Sequence, residues 1–544
     1  MLNINMCAIL EFVNQQPQMS QLGALLVDTL TRIDAYETDI ARRREKETVH
    51  VPTVGSKLST AYEQLRNASE YAEDNLLRQR AIRRYLKRSL SFHEHIGTKH
   101  LAEELVTELT QAEYIPNDHT TKSDIKDISE HIKRYYAAYW QYTKIESHSD
   151  KRLKFQEWVL DVLSVRCEQV LHSKIRQLSF THFAFTYLQP KLDVQKLVRN
   201  GEVIDQKDYS IILYIAIQRS ILKSDAASVR AALLDSYRQD IGLIHNFEAF
   251  NAKFDYLYDT KTVAYLSRII SRNGATLRMI YSGFYADDAP ISTQAFKTED
   301  SLEYALRQHI EKEYDLLNHR LDKGIIKSIA FLLITKSIIG LGVEVPYDLL
   351  VEGHILWLPL FLNLFFPAAF IAVSRLTLST PTSRNTDAVV AHVQDIVFTE
   401  EEKQSHAIRI PRASPSALFN LIYVSMFAVV FAGLSYVLYR LQFNIVQGII
   451  FFIFMSTASF LAFRLSNQIR EIEALHLSQG SLSLLRDIIY MPFIYVGQQI
   501  SYRYSRVNII ANVLDILIEL PLKTILRLAR QWTQFLNSKK DELL

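Results

Sequence analysis

Gly324 to Val345 reads GIIKSIAFLLITKSIIGLGVEV, and this stretch decides the fold: about 20 residues, apolar except for Lys327, Lys336, Glu344 and small polar positions. At about 1.5 Å of rise per residue, a helix of that length crosses a hydrocarbon core of roughly 30 Å. Three more runs of similar length follow, from Ile355 to Leu376, Leu418 to Leu438 and Phe443 to Phe463. A core helix of a soluble protein is seldom apolar on every side over that distance. Four transmembrane helices are therefore expected, at about 324–345, 355–376, 418–438 and 443–463, within a membrane region 321–466.

Working outward, composition fits this division. The chain has 544 residues, of which 22% are charged, yet its mean hydropathy sits at the zero of the scale because a charged first part and an apolar second part average out. Only 15 Gly and 13 Pro interrupt it, which favours long helices over a turn-rich β fold. The expected class is all-α: an integral membrane protein with a large helical cytoplasmic N-terminal region and an amphipathic C-terminal helical tail. Basic and acidic residues nearly balance, 61 against 59, so no global charge argues for nucleic acid as a partner. Two cysteines, Cys7 and Cys167, cannot build a disulfide framework or a four-thiolate metal site.

Charge around the spans sets an expected orientation. Val343 to His354 holds Glu344, Asp348 and Glu352 and no Lys or Arg. Lys312, Arg320 and Lys323 precede the first span; Arg375, Arg384, Lys403, Arg409 and Arg412 lie between the second and third; Arg464 and Arg470 follow the fourth. Basic loops stay in the cytoplasm, so both termini are expected there, in the cell membrane, with Arg440 the one dissenting charge. Met1 to Leu10 has no basic n-region and reads as no targeting peptide; KDEL at Lys540–Leu543 stands one place short of the end.

Two helical regions are expected before the membrane, 1–118 and 124–320, separated at Ile115-Pro116-Asn117-Asp118 and the polar residues after it. In the first, Leu58, Tyr62, Leu65, Ala68, Ala72 and Leu76 mark one face of an amphipathic helix. Its later part gathers Arg78, Arg80, Arg83, Arg84, Lys87 and Arg88. That run reads as a solvated face with intrahelical pairs; Arg83, Arg84, Lys87 and Arg88 are alternatively lipid-headgroup contacts. Tyr135, Tyr136, Tyr139, Trp140 and Tyr142 read as core. Asp300-Ser301-Leu302-Glu303 reads as a capped helix start running toward the first span.

Beyond the spans, a tail over 480–540 is expected to be amphipathic. Asn508, Asn512, Asp515, Glu519, Lys523, Arg527 and Arg530 fall three or four apart, a polar stripe on an otherwise apolar helix. Lys523, Arg527 and Arg530 are further lipid-contact candidates. Leu485 to Val496 is apolar but short, and sequence leaves open whether 485–520 re-enters the membrane or lies in its interface. The polar cytoplasmic loop 379–416 carries Ile396–Thr399 and Ala407–Ile410 as the two arms of a small hairpin.

No phosphate loop, dinucleotide fingerprint, zinc-protease helix, paired-cysteine motif or nucleophile elbow occurs, so catalytic residues, cofactors and metals are all expected to be none, and an enzyme is the less favoured reading. What remains is polar chemistry inside the membrane. Lys336 lies about 18 Å into the first span and Asn363 about 12 Å into the second from the other side, nearly one level. Pro367, one turn after Asn363, frees a backbone carbonyl there, and Glu344 is placed to receive the Lys336 ammonium. A charge near mid-bilayer costs about 2.5–3.5 kcal/mol on the insertion scale, so Lys336, Asn363, Glu344 and Asp348 are the intramembrane candidates. The alternative for Lys336 is a structural salt bridge or a snorkelling side chain.

The segments Ile334-Thr335-Lys336, Glu344-Val345-Pro346-Tyr347-Asp348, Leu358-Pro359-Leu360 through Asn363 to Phe366-Pro367, Tyr214 to Arg219 and Gln531-Trp532 together resemble a group of multi-pass membrane proteins from bacteria with reduced genomes. The resemblance implies a bacterial cytoplasmic membrane and, since no activity is assigned to that group, carries over no functional residue. The expected function is a non-enzymatic membrane scaffold or interaction protein, its partners the lipid bilayer and a protein or second copy of itself. The competing expectation is an oligomeric transporter or channel-like protein using the Lys336/Asn363 level.

Overall fold

The computed structural model describes residues 19–44, 48–52, 74–92, 97–192, 205–239, 241–376, 381–399, 417–475 and 489–501, with isolated positions at 56–63, 94 and 528–539. Every regular element among the described residues is helical; the one extended pairing is an isolated bridge between Thr48 and Thr121. The chain divides into two compact units, a helical body and a span unit.

The body comprises Ala24–Ile270 with Tyr285–Asp288. Its elements are α1 (Gln21–Arg44, mostly in this unit), α2 (Asp74–Ser89), α3 (Leu101–Gln111), α4 (Lys122–Ile145), α5 (Ser149–Leu171), α6 (Ile175–Leu188), α7 (Gln206–Ser220), α8 (Ala226–Ser236), α9 (Ile244–Tyr258) and most of α10 (Lys261–Asn273). The hub is α5, packed by α2, α4 and α8. Its sequence buries Phe155, Val159, Leu160, Val162, Leu163 and Val165 on several faces, so it needs neighbours on more than one side. Thr121 and Asp124 form a reciprocal capping box that starts α4. The aromatic run on α4 is core: Tyr142 stacks on Phe155 at 4.0 Å, and the hydroxyls of Tyr136 and Tyr139 donate to the carbonyls of Ser91 and Phe92.

Three arginines of the basic run on α2 pair with other segments rather than forming a solvated face with intrahelical pairs. Arg83 donates to Asp161 at 2.7 Å and to Glu157, both on α5; Arg84 reaches Glu63 and Arg88 reaches Glu108 of α3, each at 2.7 Å. Those three guanidiniums, proposed by sequence as lipid contacts, are spent on carboxylates because α2 lies against acidic faces within the body. Lys87 alone of the four is exposed.

The span unit comprises Ser271–Phe284 and Ala289–Asn508, with the residues up to Gly23. It holds α11 (Ala275–Ile280), a π turn starting at Tyr281, a short 3-10 turn (Thr293–Lys297), α12 (Glu299–Ile339), a second π turn (Gly340–Glu344), α13 (Val345–Val351), α14 (Trp357–Leu376), α15 (Ser383–Phe398), α16 (Ala417–Arg440), α17 (Ile445–Arg470) and α18, the helical residues 489–501. Four of its helical runs are long and apolar enough to cross a membrane: 299–351, 357–376, 421–440 and 445–470. In α16 only 6% of the apolar window is buried; Leu421, Val424, Val429 and Val437 face outward, as a lipid-facing helix requires.

Helix α12 begins two residues before the expected cap: Thr298 is the cap and accepts from the Ser301 N–H at 3.1 Å. It buries Leu302, Leu306, Ile310, Leu317 and Leu321 along one stripe, then continues unbroken into the apolar stretch quoted first. The expected hairpin at 396–399 is overturned. Those residues end α15, where Val389, Val390, Val393, Ile396 and Val397 recur at helical spacing and are all buried, so helical periodicity outweighs the β-branched composition. Residues 407–410 lie outside the described set.

The short apolar run after the spans is helical where described. In α18, Phe493 lies 5.1 Å from Phe431 of α16 and stacks on Phe452 of α17 at 6.3 Å. A Cβ on Gly497 would stand 2.2 Å from the Ser456 carbonyl oxygen, so glycine is what lets α18 approach α17. The polar stripe from Asn508 onward, with Lys523, Arg527 and Arg530, lies outside the described residues.

Candidate functional site

The span unit carries a line of polar side chains that a bilayer-exposed bundle would not keep without partners. It begins at Lys336, near the end of α12 and 2% exposed. Its ammonium pairs with Oε1 of Glu344 and stands 4.8 Å from the ring centre of Phe454 on α17.

The π turn makes this pair possible. In an unbroken α-helix, a residue eight positions on is rotated by about 80° from the first. A π turn accommodates one extra residue, so the eighth position takes the place of the seventh, about 20° off, and returns to the same face. Gly340 and Gly342 sit in that turn, and Glu344 closes it with no exposed surface.

From Glu344 the line crosses to the other spans. Its Oε2 accepts from Nδ2 of Asn363 on α14 at 3.0 Å, and the same Nδ2 donates to the main-chain oxygen of Gln447 on α17 at 3.1 Å. The Gln447 Nε2 donates to both Asp348 oxygens, at 3.1 and 2.9 Å. Asp348, on α13, also accepts from Asn444 Nδ2 at 2.7 Å and from the Leu356 N–H at 3.2 Å. Asn444 and Gln447 are themselves a capping box at the start of α17. Glu344, Asp348, Asn363 and Gln447 have no exposed surface.

All four intramembrane candidates from sequence thus stand in one hydrogen-bonded line. Lys336 and Asn363 meet through Glu344 rather than directly. Read by depth, the sequence does not single out Asn444 and Gln447, which stand at the end of the fourth span rather than near the middle of the membrane. The signal was present: Asn followed three positions later by Gln, ahead of an apolar run, marks a helix start.

Chemically, the arrangement places two carboxylates and one ammonium among amide donors, with the carboxylate oxygens and the Gln447 main-chain carbonyl accepting. No group of three or more His, Cys, Asp or Glu able to hold a metal occurs among the described residues. In the body, a cavity of about 460 Å³ is lined by residues including His182, Ser210, Tyr214 and Tyr237. Its acid, Asp235, is held by both terminal nitrogens of Arg166 at 2.6 Å, and burial pushes the Tyr214 phenol up to about 12. No protein-family model, curated protein or solved structure matches the chain.

Proposed function

We propose that this protein is a non-enzymatic membrane scaffold: a span bundle locked by an intramembrane polar clasp, anchoring a helical body that engages a protein partner. The cell membrane of a bacterium, with both termini in the cytoplasm, is the location we assign. The observation that carries the reading is how the bundle uses its polar groups. Lys336, Glu344, Asn363, Gln447 and Asp348, drawn from α12, its π turn, α13, α14 and α17, bond to one another. Such bonding fixes which helix faces meet, the attested use of buried polar groups in helix association. A carrier, by contrast, needs such groups to exchange partners with cargo.

The test is purification of the full chain in mild detergent, followed by identification of what accompanies it. A protein partner in fixed stoichiometry is the expected result. A homo-oligomer that admits water along Lys336 would overturn the scaffold in favour of a channel-like protein.

A further inference from the structure

We propose that α12 carries a site for an anionic phospholipid, with the headgroup on Arg320, Lys323 and Lys327 and the acyl chains along Phe331, Ile334 and Ile338. This rests on the spans crossing a bilayer and goes beyond the scaffold reading.

These residues share one stripe. At about 100° per residue they fall within about 80° of one another around the helix axis, and all are exposed. Leu317, Leu321, Ile325 and Leu332, on another side of α12, make its contacts with the bundle. Along the stripe the character changes once. From Arg320 to Lys327, about 10 Å of axis, it is basic; from Phe331 to Ile338, about 10 Å more, it is apolar.

The three cations lack protein partners. Among the described residues none of them makes an ion pair or a side-chain hydrogen bond, whereas Arg307 on the same helix pairs with Glu303 and Asp387, and Lys336 with Glu344. Asp322 stands at least about 100° around the axis from each of them and is held by Arg375 of α14 at 2.7 Å. Glu313 shares the stripe but lies about 10 Å along the axis from Arg320, on the side away from the span. Unmatched cations on one face attract an anion.

The level of the cations selects a lipid as that anion. Other spans end where they stand: the Arg375–Asp322 pair ties the last turn of α14 to this part of α12, and a Cβ on Gly324 would stand 2.9 Å from Cδ2 of Leu465, near the end of α17. A headgroup layer of about 5–8 Å a side, reached also by the flexible lysine stems, matches the basic length of the stripe. Free phosphate or an acidic peptide would satisfy the cations and leave Phe331, Ile334 and Ile338 uncovered. A neutral lipid would cover those three and leave the charge unmatched. An anionic phospholipid does both.

The experiment is thermal unfolding of the full chain in non-ionic detergent, titrated with phosphatidylglycerol or with phosphatidylcholine of the same acyl chains. The expected result is a saturable rise in Tm of at least about 3 °C with phosphatidylglycerol over phosphatidylcholine. The variant Arg320→Gln/Lys323→Gln/Lys327→Gln should lose that difference. Lys122→Gln/Lys126→Gln/Lys133→Gln, an equal change of charge at exposed positions of α4, should keep it. Equal responses to the two lipids, a difference that the α12 variant retains, or a rise that soluble glycerol phosphate reproduces would each overturn the site. Should the α12 variant fail to fold, Lys323→Gln alone should cut the difference by about a third, and an undiminished difference overturns the site. Flotation with phosphatidylcholine vesicles tests the spans separately. A chain that enters them without a lipid preference in Tm removes the site alone; one that stays out removes the spans as well.

Discussion

At the scale of single residues, burial decides which groups carry the account. Lys336 and Glu344 are almost wholly buried and mutually satisfied, whereas Arg83, Arg84 and Arg88, equally conspicuous in sequence, hold helices of the body together. Charge type and helical position are legible from sequence; the identity of a distant partner is not, because it depends on which helix faces meet. His131 on α4 gives a residue-scale prediction. Burial, and the nearby Arg166 and Arg134 charges, hold its imidazole below the usual histidine value. The unfolded chain then takes up its proton first, so the contribution of His131 is complete above about pH 6.5 and falls as pH drops toward the folded value. Thermal midpoints measured from pH 7.5 to 5.5 should decline, and His131→Gln should flatten that decline. An unchanged slope in the variant would remove His131 from the explanation.

At the scale of elements, a π turn and one glycine-dependent helix contact shape the span unit. Deleting Leu341, an exposed residue of the π turn, should leave a regular α-helix with Lys336 and the following carboxylate on one face. An alanine inserted after Leu341 rotates all that follows by about 100° and parts them. Membrane-inserted yield and thermal stability should therefore survive the deletion and collapse on insertion; equal tolerance of both would contradict the role given to the turn. Gly497→Val should loosen α18 from α17, at about 1–3 kcal/mol, since its Cβ meets the Ser456 carbonyl and Phe460. Loss of disulfide crosslinking between cysteines on the two helices would report it. The spans were legible because long apolar runs admit few alternatives, and the amphipathic start of α12 because its stripe is regular. The end of α15 reads as a strand from Ile396-Val397-Phe398-Thr399 alone, because β-branched and aromatic residues suit either structure locally; only their spacing from Val389, Val390 and Val393 decides for helix. The π turn left no plain mark beyond Gly340 and Gly342.

At the scale of the whole molecule, the central claim is that a membrane-crossing bundle is locked from within. The orientation we assign predicts that a cysteine replacing Glu352 reacts with an impermeant reagent from outside intact cells, and that one replacing Ser383 does not; the reverse pattern would invert the topology. Of the clasp, sequence supplied Lys336, Glu344, Asp348 and Asn363, and the approximate depth of Lys336 and Asn363, while Asn444 and Gln447 emerged only with the helices in place. Because the clasp links three spans, its loss should register in the unfolding of the span unit as a whole rather than as local fraying. The most direct measurement compares Lys336→Met, Glu344→Gln and the double variant by unfolding of the full chain in detergent. Removing one partner leaves a buried charge or donor unmatched, at about 3–5 kcal/mol, whereas removing both should restore most of that loss. Single variants as stable as the unaltered protein, or a double variant that simply sums the two losses, would contradict an intramembrane clasp.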